Sequence, residues 1–129
     1  MKHLLALALL GAASIASAAT PDWQKAELIQ VTLSNFAFTP SALHLHKGQP
    51  YQLHFVNEGS GGHNFSAPEF FKAAQIDPED GGKLHNGTVD LEKGEAQDVR
   101  LVPTAGSYKV KCTHFMHTTF GMKGSIDVN

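Results

Sequence analysis

The segment that most constrains this chain runs from Cys112 to Met122 and holds the only cysteine of the sequence. His117 lies midway, in the spacing Cys-x4-His-x4-Met. A thiolate, an imidazole and a thioether at this spacing can surround one soft metal ion. The fourth ligand has to come from another segment, and His63, which follows a glycine-rich stretch, is the best candidate. The sequence therefore predicts a four-ligand metal site.

These donors fit copper in particular. Thiolate and thioether suit Cu(I), imidazole suits Cu(I) and Cu(II), and the four together are the donors of a blue-copper electron-transfer site. Taken alone, Cys112 would be interpreted as a small buried hydrophobic residue. A lone cysteine in an exported protein has no internal disulfide partner, so it is a reactive thiol, an intermolecular bridge or a metal ligand. The nearby histidines favour the metal ligand.

Two nearby residues compete for places in this site. Met116 could supply the axial thioether instead of Met122, but it directly precedes His117, and both side chains would then have to turn towards one ion. Met122 is preferred because glycines flank it in the order Gly-Met-Lys-Gly. His114 could replace His117. It lies two residues after Cys112, and side chains two residues apart on an extended segment face the same way.

The first 18 residues have the composition of an export signal. Lys2 provides a positive start, residues 4–15 are apolar, and residues 16–18 are the small-residue cleavage site Ala-Ser-Ala. We expect cleavage after Ala18, which leaves a single domain, residues 19–129, in the periplasm. The apolar run is too short to span a bilayer and no later run is long enough, so no membrane span is expected.

Charge and motif content argue against two classes of function. The chain has a formal net charge of −2 with histidine neutral. Its basic residues do not cluster along the sequence, so nucleic acid is not expected as a partner. An enzyme is not expected either, because no Ser-His-Asp order, phosphate-binding loop or paired carboxylates stand out.

Most of the chain after the signal alternates apolar and polar residues with a period of two, which predicts β-strands. In the strand Ser107–Cys112, Tyr108 and Val110 share a face with the cysteine and two lysines take the other face, so the thiol should point into the protein. Further strands are predicted at 31–34, 43–45, 51–56, 88–92, 99–101 and 124–128.

One segment breaks this alternation. Ser66 is followed three residues later by Glu69, which is a capping-box pattern, and the pattern predicts a short helix over Phe70–Ile76 that stops at Asp77 and Pro78. About seven short strands with turns between them, together with one short helix, predict an antiparallel β-sandwich.

At this point the chain resembles the cupredoxins, which are small type 1 blue copper proteins of the plastocyanin, pseudoazurin and azurin type. The Cys-x4-His spacing is similar to azurin and the His-x4-Met spacing is similar to plastocyanin. The resemblance extends over nearly all of the chain after the signal and is carried by Asn35–Pro40, Phe55–Asn57, Gly62–Phe65, Pro103–Tyr108 and the segment Cys112, His117 and Gly121–Gly124.

The resemblance implies an all-β fold: a Greek-key antiparallel β-sandwich of about seven to eight strands with one short helix. It implies one copper ion in a type 1 site, held by His63, Cys112, His117 and Met122. It also implies that the Gly62 carbonyl lies near the copper, opposite the axial methionine. Asn64 is expected to tie the two ligand segments together and to donate a hydrogen bond near the cysteine sulfur.

The function expected from the site is that of a periplasmic carrier of single electrons, with copper cycling between Cu(II) and Cu(I). We expect a monomer whose redox partner is a protein such as a c-type cytochrome or a copper enzyme. Phe115, Met116 and Phe120 either pack inward or form an exposed apolar rim at which that partner docks, and the sequence favours neither arrangement.

The alternative function is copper binding for tolerance, sequestration or delivery. It rests on four further histidines, which are more imidazole than an electron carrier needs. His44 and His46 leave the same face of one predicted strand, and His54 lies on the polar face of the next. If those strands pair, the three imidazoles could bind a second Cu(II). If the strands lie in different sheets, they are solvated histidines; the fourth histidine is His85.

Overall fold

The computed structural model describes residues 11–12, 19–114 and 122–129, and these residues fold as a two-layer β-sandwich with one α-helix. Their ten strands are, in chain order, β1 (Glu27–Ser34), β2 (Ala37–Thr39), β3 (Ala42–Leu45), β4 (Tyr51–Asn57), β5 (His63–Ser66), β6 (Gln75–Ile76), β7 (Thr88–Leu91), β8 (Ala96–Val102), β9 (Gly106–Lys111) and β10 (Lys123–Val128). The helix α1 (Pro68–Ala73) follows β5, and two short 3-10 helices lie at Trp23–Lys25 and Gly81–Lys83.

Each sheet has five strands within the described residues. The first sheet has the order β2-β1-β4-β8-β6, and the second has the order β3-β10-β9-β5-β7. The expected all-β sandwich with one short helix is confirmed. Two pairings, β1 with β4 and β3 with β10, are parallel rather than antiparallel. Between β1 and β4 the chain crosses to the other sheet as β3, and such a crossover is what a parallel pair requires.

The core lies between the two sheets and follows the period of two seen in the sequence. Along β4, for example, Tyr51, Leu53, Phe55 and Asn57 are buried and the residues between them are half-buried. Phe65 lies at the centre of an aromatic cluster, with ring centroids 5.4 Å from Phe38, 4.8 Å from Phe55 and 6.2 Å from Phe71. Because Phe65 belongs to β5, this cluster anchors the strand that begins at His63.

The helix differs from the prediction at both ends. Ser66 belongs to β5, and its hydroxyl bonds to the hydroxyl of Thr88 on β7, at 2.9 Å. Ala67 precedes the helix and no side chain caps it, so the capping-box interpretation was wrong. The helix ends at Ala73, because the next residues pair with β8 as β6. Partners distant in sequence therefore override the local helix signal at both ends.

A buried ionic cluster holds the loop between β6 and β7, residues 77–87. Asp80 is 1% exposed and accepts hydrogen bonds from the Lys83 ammonium at 2.7 Å, and from the backbone and guanidinium N–H groups of Arg100 at 2.9 and 3.1 Å. Asp77, also buried, lies 3.3 Å from the same guanidinium. Burial alone would raise the pKa of Asp80, but the hydrogen bonds from Lys83 and Arg100 outweigh it and hold that pKa below 3.8.

The three-imidazole site is not assembled by this fold. His44 lies on β3 in the second sheet and His54 lies on β4 in the first, so their strands do not pair. The Nδ1 atom of His54 is 2.8 Å from the carboxylate of Asp98, whereas His44 is highly exposed and 3.9 Å from Asp127. Of the two arrangements considered for these histidines, the observed one is that in which their strands lie in different sheets.

The N-terminal segment was predicted to be an export signal, and residues 1–10 and 13–18 of it lie outside the described residues. Among the helices that the structure describes, none has the length and apolar composition to cross a membrane.

Candidate metal centre

Three of the four predicted ligands come to one end of the sandwich. His63 is the first residue of β5, Cys112 directly follows β9 and Met122 directly precedes β10. All three are buried, with exposed fractions of 3%, 0% and 0%. The fourth, His117, lies in residues 115–121, outside the described residues. The alternative axial ligand Met116 lies there too, as do the apolar rim candidates Phe115 and Phe120.

The two ends of the loop from Cys112 to Met122 are joined by a backbone hydrogen bond. The N–H of Cys112 donates to the carbonyl of Met122 at 3.1 Å. The antiparallel pair β9–β10 continues directly from this bond, beginning with Lys111 opposite Lys123. The sheet therefore fixes the backbone separation of Cys112 and Met122, the two predicted sulfur ligands.

Asn64 ties the His63 strand to the cysteine segment, as expected. Its side-chain oxygen accepts from the Thr113 N–H at 2.8 Å, and its amide donates to the Thr113 hydroxyl at 2.7 Å. The same amide donates to the carboxylate of Asp90 at 3.1 Å. Asn64 neighbours His63 and Thr113 neighbours Cys112, so this pair of bonds fixes the spacing between the two predicted ligands. The expected hydrogen bond near the cysteine sulfur and the position of the Gly62 carbonyl remain predictions.

Asn35 fixes the tautomer of the His63 ring. The backbone N–H of Ser60 can only donate, and it lies 3.0 Å from Oδ1 of Asn35, so that atom is the oxygen. The same oxygen lies 3.2 Å from Nε2 of His63, which must therefore carry the proton. The neutral ring then has its lone pair on Nδ1, and a lone pair is what an imidazole donates to a metal.

Two glycines leave room for rings at this end of the sandwich. A Cβ at Gly59 would lie 2.5 Å from Nε2 of His63 and 2.9 Å from the Asn35 oxygen, so any side chain there would displace their contact. A Cβ at Gly62 would lie 3.2 Å from the ring of His114. The ring of His114, the alternative to His117, is exposed, and its centroid is 6.3 Å from that of His63.

Asn57 organises the loop that leads to His63. It is 1% exposed, and its amide lies 2.9 Å from the Gly61 carbonyl and 3.1 Å from the carbonyls of both Leu91 and Glu92. Its side-chain oxygen accepts from the Gly59 N–H at 2.9 Å. One buried amide thus satisfies backbone groups on both sides of the site.

Sequence reasoning missed the roles of Asn35 and Asn57. Asn35 directly follows β1 and Asn57 is the last residue of β4, so each ends a run of alternating residues. An asparagine there is also typical of an ordinary turn, so the pattern alone does not separate the two roles. In the ranges 11–12, 19–114 and 122–129, no three His, Cys, Asp or Glu side chains converge as a metal site. The predicted site takes a thioether from Met122 and an imidazole from His117, so it does not consist of three such side chains in those ranges.

Comparison with known proteins gives a family. The model of the cupredoxin-like domain family matches residues 4–128. No curated protein matches the chain. Among solved structures, auracyanin from the photosynthetic bacterium Roseiflexus castenholzii has a TM-score of 0.59 at 20% identity, over 81% of this chain and 98% of that one.

Two more structures have the same fold. Auracyanin B has a TM-score of 0.59 at 23% identity, over 88% of this chain and 93% of that one. The multicopper oxidase McoA from Aquifex aeolicus has a TM-score of 0.66 at 16% identity, over 88% of this chain but only 32% of that one. These likenesses support the sandwich, and the family model covers almost the whole sequence. The chain belongs to the cupredoxin-like domain family.

Proposed function

We propose that this chain is a mononuclear type 1 copper protein that carries single electrons, with His63, Cys112, His117 and Met122 as ligands. The observation that carries the proposal is the pair of ties at one end of the sandwich. Asn64 bonds to Thr113, and Cys112 bonds to Met122, so three buried donors from three segments are held together. Cupredoxin-like domains imply copper, and these donors fit it.

The chemistry of the donors supports copper over other metals. A buried thiol, a buried thioether and an imidazole presenting Nδ1 are soft or borderline ligands, which suit Cu(I) and Cu(II) better than Mg²⁺ or Ca²⁺. Copper bound there would supply one-electron redox chemistry. The chain's part is to hold the donors on strand ends and, through Asn35 and Asn64, to orient the ring and fix the spacing.

Similarity in extent favours a carrier. The chain covers 98% of the auracyanin but only about a third of the multicopper oxidase. The related structures include a dithionite-reduced auracyanin and an oxidised amicyanin variant. The second copper site considered for the copper-handling alternative is not formed, because His44 and His54 lie in different sheets.

The remaining features of the proposal come from the sequence. The predicted signal at residues 1–18 would export the chain to the periplasm, where it would act as a monomer. Its partner would be a redox protein such as a c-type cytochrome or a copper enzyme.

Voltammetry of the copper-loaded protein tests this function. A single reversible one-electron wave is expected. Met122→Gln should lower the reduction potential by at least about 59 mV, a tenfold change in the relative affinity for the two oxidation states, because an amide oxygen favours Cu(II) over Cu(I). Met116→Gln is the matched control and should change the potential less. The absence of a reversible wave contradicts the carrier, and a larger drop for Met116→Gln reverses the axial assignment.

A further inference from the structure

Three lysines that are separate in the sequence meet on the outer face of the second sheet. Lys109 and Lys111 lie on the exposed face of β9, two residues apart, and Lys123 lies directly opposite Lys111 on β10. We call these three residues the lysine patch. Residues directly opposite each other in an antiparallel pair share a face, so two positive charges adjoin here, and like charges in this arrangement destabilise a sheet.

No carboxylate of the described chain neutralises the lysine patch. None of the three lysines has an Asp or Glu oxygen within 4.0 Å among the described residues. Asp127, on the same face of β10, instead accepts a hydrogen bond from the Ser107 hydroxyl at 2.8 Å. The patch therefore stays positive on a chain whose net charge is −2. A cluster of positive charges that stays unneutralised on a negatively charged chain is the kind of surface that attracts a negatively charged partner.

The lysine patch borders a groove of about 760 Å³. At this groove β5 and β9 pair at Ser66 and Lys111, and the chain then continues from β5 into α1, which packs on β9 through Phe70 and Tyr108, with ring centroids 5.4 Å apart. Its walls include Pro68 and Glu69 on one side and the lysines on the other. Glu69 is exposed and forms no ion pair within 4.0 Å with the lysines, so the groove can admit the side chains of another surface.

The lysine patch lies one residue from two proposed ligands. Lys111 directly precedes Cys112, and Lys123 directly follows Met122. A partner seated on the patch would thus contact residues that adjoin Cys112 and Met122 in the chain.

From these observations we propose that the lysine patch is a docking site for the acidic surface of a redox partner protein. The proposal rests on the proposed function, because it names the chemistry of the partner with which electrons are exchanged. The charges would act mainly on the rate of association and on its salt dependence.

Binding of a glutamate hexapeptide, followed by amide chemical shifts in two-dimensional NMR, tests the docking site without any redox chemistry. At low ionic strength the shifts should concentrate on β9, the start of β10 and the groove. They should vanish in the double variant Lys111→Glu/Lys123→Glu and persist in Lys47→Glu. Lys47 is the matched control because it is exposed, and its N–H bonds to Asn129 at the opposite end of β10 from Lys123.

Shifts that spread evenly over the surface, or that persist in the double variant, overturn the proposal. Tighter binding to phosphatidylglycerol vesicles than to the peptide, lost in the same variant, would also overturn it in favour of a membrane surface. Should charge reversal prevent folding, Lys111→Gln/Lys123→Gln removes the charges without reversing them and should abolish the peptide-induced shifts equally well.

Stopped-flow oxidation of the reduced protein by hexacyanoferrate(III) is the second test. One electron passes from Cu(I) to Fe(III), leaving Cu(II) and hexacyanoferrate(II). The net charge alone predicts repulsion and a rate that rises with salt, whereas the lysine patch predicts a rate that falls with salt. The double variant should react about tenfold more slowly at low salt, after voltammetry has corrected for any change in potential.

The two proposals fail in different ways. If oxidation proceeds at equal rates in the wild type, in the double variant and in Lys47→Glu, the lysine patch is not a docking site and the carrier function stands. If hexacyanoferrate(III) oxidises none of these proteins, the carrier function itself is wrong.

Discussion

The sandwich buries two polar networks of different chemistry, one at the metal centre and one in the loop between β6 and β7. At the metal centre the buried polar groups are the neutral amides of Asn57 and Asn64, bonded largely to backbone groups and a hydroxyl. In the loop they are the carboxylates of Asp77 and Asp80, bonded to Arg100 and Lys83.

The two networks differ in how they depend on protonation. A buried amide that satisfies several backbone groups carries no charge, so the scaffold that it forms around His63 does not depend on its own protonation. The carboxylate of Asp80, whose pKa is lowered in the fold, stabilises the loop only while it is ionised. We infer that the metal centre is held by hydrogen-bond geometry and the loop by charge.

The amide network should show the largest effect when it is broken. Asn57→Leu removes the side-chain partner of the Gly59 N–H and of the Gly61 and Leu91 carbonyls, whereas the Glu92 carbonyl keeps its bond from the Glu95 N–H. The change should lower the free energy of unfolding by about 2–4 kcal/mol. Urea unfolding with both proteins in the same metal state measures it. Asn129→Leu is the control, since that exposed side chain forms no hydrogen bond among the described residues, and it should change little. Equal stability of Asn57→Leu and wild type would contradict the role of this amide.

The ionic network should show a smaller effect that depends on pH. The folded-state pKa of Asp80 lies below 3.8, so the unfolded chain binds the proton more readily. Its contribution to stability is therefore fully present above about pH 5 and is lost as pH falls through the folded pKa. Asp80→Asn should reduce the free energy of unfolding at pH 7 by about 2 kcal/mol, and the gap should close towards pH 2.

Glu79→Gln is the control for that experiment. Glu79 contacts the same guanidinium but is 81% exposed, so its removal should have almost no effect on stability. A gap between Asp80→Asn and wild type that does not change with pH would mean that Asp80 acts through shape rather than charge.

The smallest expected effect is on the orientation of one ring. Asn35 is exposed, so Asn35→Leu should barely change stability, but it removes the acceptor that keeps the proton on Nε2 of His63. Copper affinity, measured by competition with a chelator, should fall about tenfold. Asn35→Asp keeps an acceptor oxygen and should remain near the wild-type affinity. Wild-type affinity in Asn35→Leu would show that the tautomer does not depend on this contact.

The sequence predicted those parts of the fold that depend on local alternation. Val89 and Leu91, or Val110 and Cys112, are inward because a strand with one buried face must alternate. It did not predict which strands pair. The capping-box interpretation of Ser66 was wrong because Thr88, its partner, is 22 residues away.

The same limit applies to the candidate site. The donors were recognised from their types and spacing, and His63, Cys112 and Met122 do come to one end of the sandwich. The supporting amides were not recognised as such, since Asn35 reaches His63 across 28 residues and Asn57 reaches Leu91 across 34. Asn64 was identified only through the family resemblance.

The most direct test of the account is the visible spectrum of the Cu(II) protein beside that of Cys112→Ser. A thiolate bound to Cu(II) gives an intense charge-transfer band, so the wild type should be strongly coloured. The serine variant should lose the band while keeping the fold, because its hydroxyl fits the space of the thiol and β9 still pairs with β10. An intense band that survives in Cys112→Ser, or a colourless wild type with Cu(II) bound, would contradict a copper site built on Cys112.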